Sequence, residues 1–219
     1  MFETAVTGNR EAIYAILGSS PPPKNALTPS LGSAFMVAPG LLVTAARIVR
    51  DDSRPDNPPL AGLRVIRAPD IGKRAEPVTV VAANAREDLA LLRIDSPRST
   101  TCLRLLDAPV PVGTHCGTAG FPRITVDPEP SSGISLIELF QGADISSFVN
   151  STGADGHAEY RYETDAPLYG DASGSPGFLA SGEVFGMVHL PDGPPPAGVT
   201  FWVPSMAIVA FLKANGVQL

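Results

Sequence analysis

The sequence predicts an all-β protein, and three observations carry the prediction. Pro (23) and Gly (21) are both abundant and scattered without a period, which suits many short strands joined by turns. Apolar residues make up 44% of the chain and charged residues 17%, a globular balance. The apolar runs are short and are bounded by turn residues. With 219 residues the chain has room for one large all-β unit or two small lobes with real cores.

The elements follow in order. Ala12 to Leu17 is an apolar run ending at Gly18; a strand or a short helix fits it, and a strand fits better. Ser20 to Ser30, with Pro21 to Pro23, is an exposed loop. Gly32 to Val37 and Leu41 to Thr44 form a hairpin around the turn Ala38-Pro39-Gly40, where Pro suits the first corner. Ala45 and Ala46 pack closely under the segment that continues to Val49. Asp51 to Gly62 is a surface loop, and Leu63 to Arg67 and Val78 to Ala83 are strands. Asn84 to Asp88 is a polar turn, followed by a buried strand from Leu89 to Ile94. Asp95 to Pro111 has little periodicity and marks a boundary between two lobes. Gly113 to Phe121 and Ile134 to Gly142 open the second lobe, and Val149 to Glu159 reads as a polar loop. Tyr160 to Thr164 is a strand, Phe178 to Leu190 a hairpin, and Val199 to Val203 the last strand. Pro204 to Asn215 is a helix: Ala207, Ile208, Phe211 and Leu212 share one face, and Gly216 follows its end.

Composition excludes several functions. The net charge is -6, and no Lys/Arg cluster reads as a phosphate-tracking face, so no nucleic-acid partner is expected. Two cysteines, Cys102 and Cys116, make no disulfide framework and point to a reducing compartment. Met1 to Ser20 lacks a signal pattern, and the run Ala34 to Ala46 is broken by Pro39 and Gly40 and too short to span a bilayer. The expectation is a cytoplasmic protein away from membranes. No Cys/His group has zinc spacing and no Gly-rich loop precedes a Lys-Ser/Thr pair, so neither metal nor cofactor is expected.

One stretch stands apart: Tyr169-Gly170-Asp171-Ala172-Ser173-Gly174-Ser175-Pro176-Gly177-Phe178. Gly, Asp, Ser and Pro in one run mark a tight loop. A Ser-Gly pair in such a loop can bring a hydroxyl and a backbone N–H to one point, as acyl transfer requires. Taken alone, the stretch reads more readily as an ordinary turn, since Ser, Gly and Pro are common turn residues.

Three segments together resemble the chymotrypsin-like serine peptidases, with the bacterial Deg/HtrA type nearest in flavour. Gly32 to Ala46 is similar to the hairpin leading to the family's catalytic histidine. Glu87-Asp88-Leu89-Ala90-Leu91-Leu92-Arg93-Ile94 is similar to the segment carrying its aspartate, and Ala172-Ser173-Gly174-Ser175-Pro176 to its nucleophile loop. The resemblance covers roughly residues 9 to 216. It implies two packed antiparallel β-barrels, at about 9–100 and 110–203, a C-terminal helix at about 204–215, and a site in the cleft between the barrels.

The departures from that pattern are chemical. Where the family continues to histidine, this chain has Arg47. Arginine stays protonated at any relevant pH and cannot take a proton from Ser173. It can, however, pair with the Asp88 carboxylate. Asp171 stands where the family commonly has Gly, so its N–H and that of Ser173 would form the oxyanion hole with a carboxylate nearby.

The resemblance also places Pro167, Met187, Val188 and His189 at the substrate side-chain pocket. Pro167 replaces the aspartate that selects basic residues in the trypsin branch. His189 falls either beside Asp88, where the family has a small polar residue, or one register away in the pocket. His115, beside Cys116, reads as structural, and His157 as solvated.

Two principal functions follow. One is a catalytically silent peptidase domain that binds or regulates a protein or peptide, with Arg47 and Asp88 locking the cleft. The alternative is an active serine endopeptidase acting through Ser173, with Arg47 an introduced change or His189 a substitute base. A third reading takes the chain as a regulatory piece of a longer protein.

Overall fold

The structure, a computed structural model, describes residues 2–18, 30–50, 58–71, 74–126, 134–152, 158–168, 172–190 and 198–219. Its first half is a curved antiparallel sheet of seven strands. They are β1 (Ile13–Leu17), β2 (Ser30–Ala38), β3 (Leu41–Thr44), β4 (Arg64–Arg67), β5 (Glu76–Pro77), β6 (Thr79–Asn84) and β7 (Leu89–Arg93), in the order β5-β4-β1-β2-β3-β7-β6. The second half is a closed six-stranded barrel. It is built from β8 (His115–Val126), β9 (Ile134–Thr152), β10 (Ala158–Thr164), β11 (Pro176–Leu179), β12 (Val184–His189) and β13 (Thr200–Pro204). The expected two-barrel architecture is present, with the first barrel realised as a half-barrel.

Local sequence explains most strands. β1 is buried at every position, which is why its five residues are all apolar. β6 alternates exposed and half-buried positions, as a surface strand should. The β2–β3 turn holds Pro39 and then Gly40 at φ 76°, the pairing a type II turn requires.

The helix α2 (Ser205–Ala214) buries Ile208, Phe211 and Leu212 against the half-barrel core. It stops where Gly216 N–H donates to Lys213 O (3.1 Å) and Val217 N–H to Leu212 O (3.0 Å). Those two bonds satisfy carbonyls that the helix leaves open, and buried Val217 seals the end. No described helix is long and apolar enough to cross a membrane.

Two elements differ from expectation. A helix, α1 (Phe2–Asn9), precedes β1. Its apolar positions are few, so it gives no periodic signal; Asn9 Nδ2 anchors its end by donating to Gly182 O at 3.0 Å. The segment expected as a loop from Val149 to Glu159 is strand at its described residues, 149–152 and 158–159. β9 continues to Thr152, β10 begins at Ala158, and the two pair in register from Ala158–Thr152 through Glu163–Ser147. Polar residues mislead here because half of this hairpin faces solvent.

Two cores result. One fills the half-barrel and reaches across to Ala119, Phe121, Phe178, Met187 and Val203; the other fills the closed barrel around Tyr162, Phe185, Val188 and Trp202. A run of buried hydroxyls bridges the halves. Ser175 Oγ donates to Ser33 Oγ at 3.0 Å, Ser33 Oγ accepts from Phe121 N–H at 2.8 Å, and Thr44 Oγ1 donates to Ser33 O at 2.7 Å.

Candidate active site

Asp88 closes the turn between β6 and β7. Asn84 Oδ1 accepts from the N–H groups of Arg86 (3.1 Å) and Glu87 (3.2 Å), a local bond that shapes the turn. Asp88 itself takes φ 57°, a left-handed conformation that aspartate tolerates better than most residues. The carboxylate is buried at 3% exposure and faces the end of β3.

Arg47 meets it from a short 3-10 turn, Ala46–Val49, that follows β3. Its backbone N–H donates to Asp88 Oδ1 at 3.1 Å, and its Nε–H donates to Asp88 Oδ2 at 2.9 Å. One guanidinium nitrogen donates to Leu190 O, and the other lies 3.1 Å from His189 Nδ1. His189, the last residue of β12, also places Nδ1 2.8 Å from Asp88 Oδ2. The register of β12 thus puts His189 beside the aspartate, the first of its two expected positions. Burial alone would raise the Asp88 pKa. The His189 hydrogen bond and the Arg47 charge outweigh burial and hold it below the usual carboxylate value.

Ser173 lies in the Ala172–Gly174 turn that leads into β11. Its carbonyl accepts from Ser33 N–H at 2.9 Å. Gly174 N–H donates to Val188 O at 3.0 Å, and Val188 N–H donates to Ser175 O at 2.9 Å. The serine backbone is therefore clamped to β2 on one side and β12 on the other. Gly174 has φ 83°, and a Cβ there would drive into the Ser33 carbonyl and stand 2.7 Å from Thr44 Oγ1. Among the described residues the Arg47 side chain bonds Asp88, Leu190 and His189, and the His189 ring bonds Asp88 and Arg47.

Ser173 and Arg47 thus flank the end of one strand: Gly174 is bonded to Val188, and Arg47 to His189 and Leu190. Of the expected pocket residues, Pro167 is exposed, while Met187 and Val188 are fully buried in the two cores. Their side chains pack the interior and do not face an open pocket. Asp171 and His157 lie outside the described residues. His115 begins β8 at the surface and bonds Asp144 through Nδ1 at 2.7 Å.

A family model described as "Trypsin-like peptidase domain" matches residues 32–187, more than half of the chain. The chain belongs to the trypsin-like peptidase family. No curated protein matches it. Among solved structures, the Rv3671c protease of M. tuberculosis in its active form is 18% identical, with a TM-score of 0.72 over 98% of this chain and 85% of that one. The inactive form gives 0.70 over 97% and 93%, again at 18% identity. At that identity the likeness is one of fold.

Within this fold, the arrangement holds a carboxylate, a clamped serine and a permanent cation. The residue in the position of the base, Arg47, is a permanent cation and accepts no proton. The Ser33–Ser175–Thr44 hydroxyl cluster, which sets the serine turn against β2, escaped the sequence reading. No spacing rule links three hydroxyls so far apart in the chain.

Proposed function

We propose that this trypsin-like peptidase domain is catalytically silent and serves as a binding or regulatory module for a protein or peptide in the cytoplasm. One observation carries the reading: Arg47 Nε–H donates to Asp88 Oδ2 at 2.9 Å, with the Arg47 backbone on Oδ1 at 3.1 Å. Acyl transfer needs a base that takes the serine proton and returns it to the leaving group. A guanidinium does neither, because it stays protonated. The bond to Asp88 also directs it at the aspartate, as a structural replacement for an imidazole. Its neighbours satisfy it as a cation. The test is exposure to a fluorophosphonate probe at neutral pH, followed by intact-mass and peptide mass spectrometry. No mass at Ser173 is expected; stoichiometric labelling would sink the reading.

A second reading, an active endopeptidase with His189 as base, draws on the 2.8 Å contact between His189 Nδ1 and Asp88 Oδ2. That contact gives an imidazole its orienting carboxylate. It leaves Nε2 as the proton acceptor when Nδ1 donates to Asp88. Labelling in the native protein that vanishes in His189→Ala would select it.

A further inference from the structure

The connector between the two halves walls a cavity of about 310 Å³. Val37 from β2, Leu103 and Leu105 from the connector and Val209 from α2 give it an apolar lining. Val37, Leu103 and Val209 are buried and form the floor; Arg104, Asp107, Lys213 and Leu219 reach solvent and form the rim. At about 30 Å³ for each water-sized group, the space takes about ten non-hydrogen atoms. A concave apolar surface with a few polar groups at its edge is the form small-ligand sites take.

The walls are held by backbone bonds. Leu103 N–H donates to Met36 O at 2.8 Å, Leu106 N–H to Val184 O at 2.9 Å, and Val184 N–H to Arg104 O at 2.9 Å. Ser205 Oγ, at the start of α2, donates to Leu106 O at 2.5 Å. The connector is thus tied to β2, β12 and α2, and the cavity between them is preformed.

The rim selects the head group. It carries two cations, Arg104 and Lys213, against one carboxylate, Asp107, on a chain whose net charge is -6. Glu183 Oε1 takes one terminal nitrogen of Arg104 at 2.6 Å, and Asp107 Oδ2 takes the Lys213 ammonium at 3.3 Å. A guanidinium has five N–H donors and an ammonium three, so one carboxylate partner does not exhaust either. Both cations are exposed, where an ion pair contributes little, and an incoming anion diverts them cheaply. A cationic ligand would meet Arg104 and Lys213 as like charges, and an uncharged one would gain nothing from them.

We propose that this cavity binds a medium-chain aliphatic carboxylate, its chain against Val37, Leu103, Leu105 and Val209 and its head met by Arg104 and Lys213 at the rim. The cavity shares no lining residue with Ser173, Asp88 or Arg47, and its occupancy does not depend on whether Ser173 reacts.

The probe is sodium octanoate, which matches the cavity in size, titrated below its critical micelle concentration into the ¹⁵N-labelled chain. Octanol and octylammonium are the controls, at equal ionic strength. Octanoate should give saturable shifts at the amides of Val37, Leu103, Leu105 and Val209. Both controls should bind about tenfold more weakly, the loss that follows removal of a charge-assisted bond. Arg104→Gln/Lys213→Gln alters two exposed side chains, so the fold is retained, and octanoate should fall to the affinity of octanol. Val209→Phe should fill the space and abolish the shifts with octanoate and octanol alike. The proposal fails if octanoate does not saturate at these amides, if either control matches its affinity, or if the double variant keeps that affinity. It fails equally if folded Val209→Phe still binds. Should Val209→Phe not fold, the double variant and the octanol comparison decide.

Discussion

His189 places Nδ1 2.8 Å from Asp88 Oδ2, the oxygen that Arg47 Nε–H also reaches at 2.9 Å. One carboxylate oxygen thus serves two partners from opposite sides of the cleft. The same Nδ1 lies 3.1 Å from an Arg47 guanidinium nitrogen. A nitrogen that donates to Asp88 cannot also accept from Arg47, so the tautomer of His189 selects which bond is made.

That sharing bears on reactivation. Arg47→His supplies an imidazole that needs Asp88 Oδ2, where His189 already competes. Fluorophosphonate labelling of Ser173 is expected to appear in Arg47→His. It should become about tenfold faster in Arg47→His/His189→Ser, the rate equivalent of one recovered hydrogen bond to a charged group. Labelling that slows in the double variant would instead make His189 the base.

Acid stability follows from Asp88. Its folded pKa is depressed, so its contribution is fully present above the unfolded value of ~3.9 and is lost as pH falls through the folded value. Tm should therefore hold steady with respect to this group at neutral pH and fall below about pH 4. Asp88→Asn should cost about 3 kcal/mol at pH 7, the scale for removing one partner of a buried pair, and should flatten part of the acid limb. Urea unfolding of both proteins at pH 7 and pH 3 measures it. An equal stability gap at the two pH values would contradict this assignment.

Close approach at the bridge between the two halves makes a coupled pair. A Cβ at Gly120 would enter Ser175 Oγ and stand 2.8 Å from Ser33 Oγ. Gly120→Ala should destabilise by about 2–3 kcal/mol, the range for overpacking. Ser175→Gly removes most of the obstacle, so a double-mutant cycle should return a coupling of at least about 1 kcal/mol. Additive losses in denaturant melts would show that the two residues do not meet.

The thiols are expected to differ in reactivity. Cys116 is fully buried, and burial, aided by Asp144 and Asp165, pushes its thiol up to about 12. Cys102 is half-exposed and raised by burial alone. Iodoacetamide at pH 8 should alkylate Cys102 slowly and Cys116 only after denaturant is added, because the thiolate is the nucleophile. Equal modification of both in native buffer, read by peptide mass spectrometry, would contradict the burial of Cys116.

The chain itself determined where strands begin and end over most of its length, because turn residues and apolar runs act locally. Asn84 shapes the Asp88 turn by bonds to residues two and three positions away, and Gly216 ends α2 in the same short-range way. The residue types at positions 47, 88 and 173 were equally legible, and with them the impossibility of arginine as a base. The polar residues of Val149 to Thr152 and Ala158 to Glu159 were misread as loop because each arm pairs with the other in a hairpin that exposes half its side chains to solvent. Only tertiary structure decided that His189 reaches Asp88 across 101 positions, that Ser33, Thr44 and Ser175 join the two halves, and that buried Arg161 keeps one unmet donor. The physical reason is register: a slip of one residue in β10 would turn Arg161, and one in β12 would turn His189, to the opposite face. Nothing within the strands fixes that register; their neighbours do.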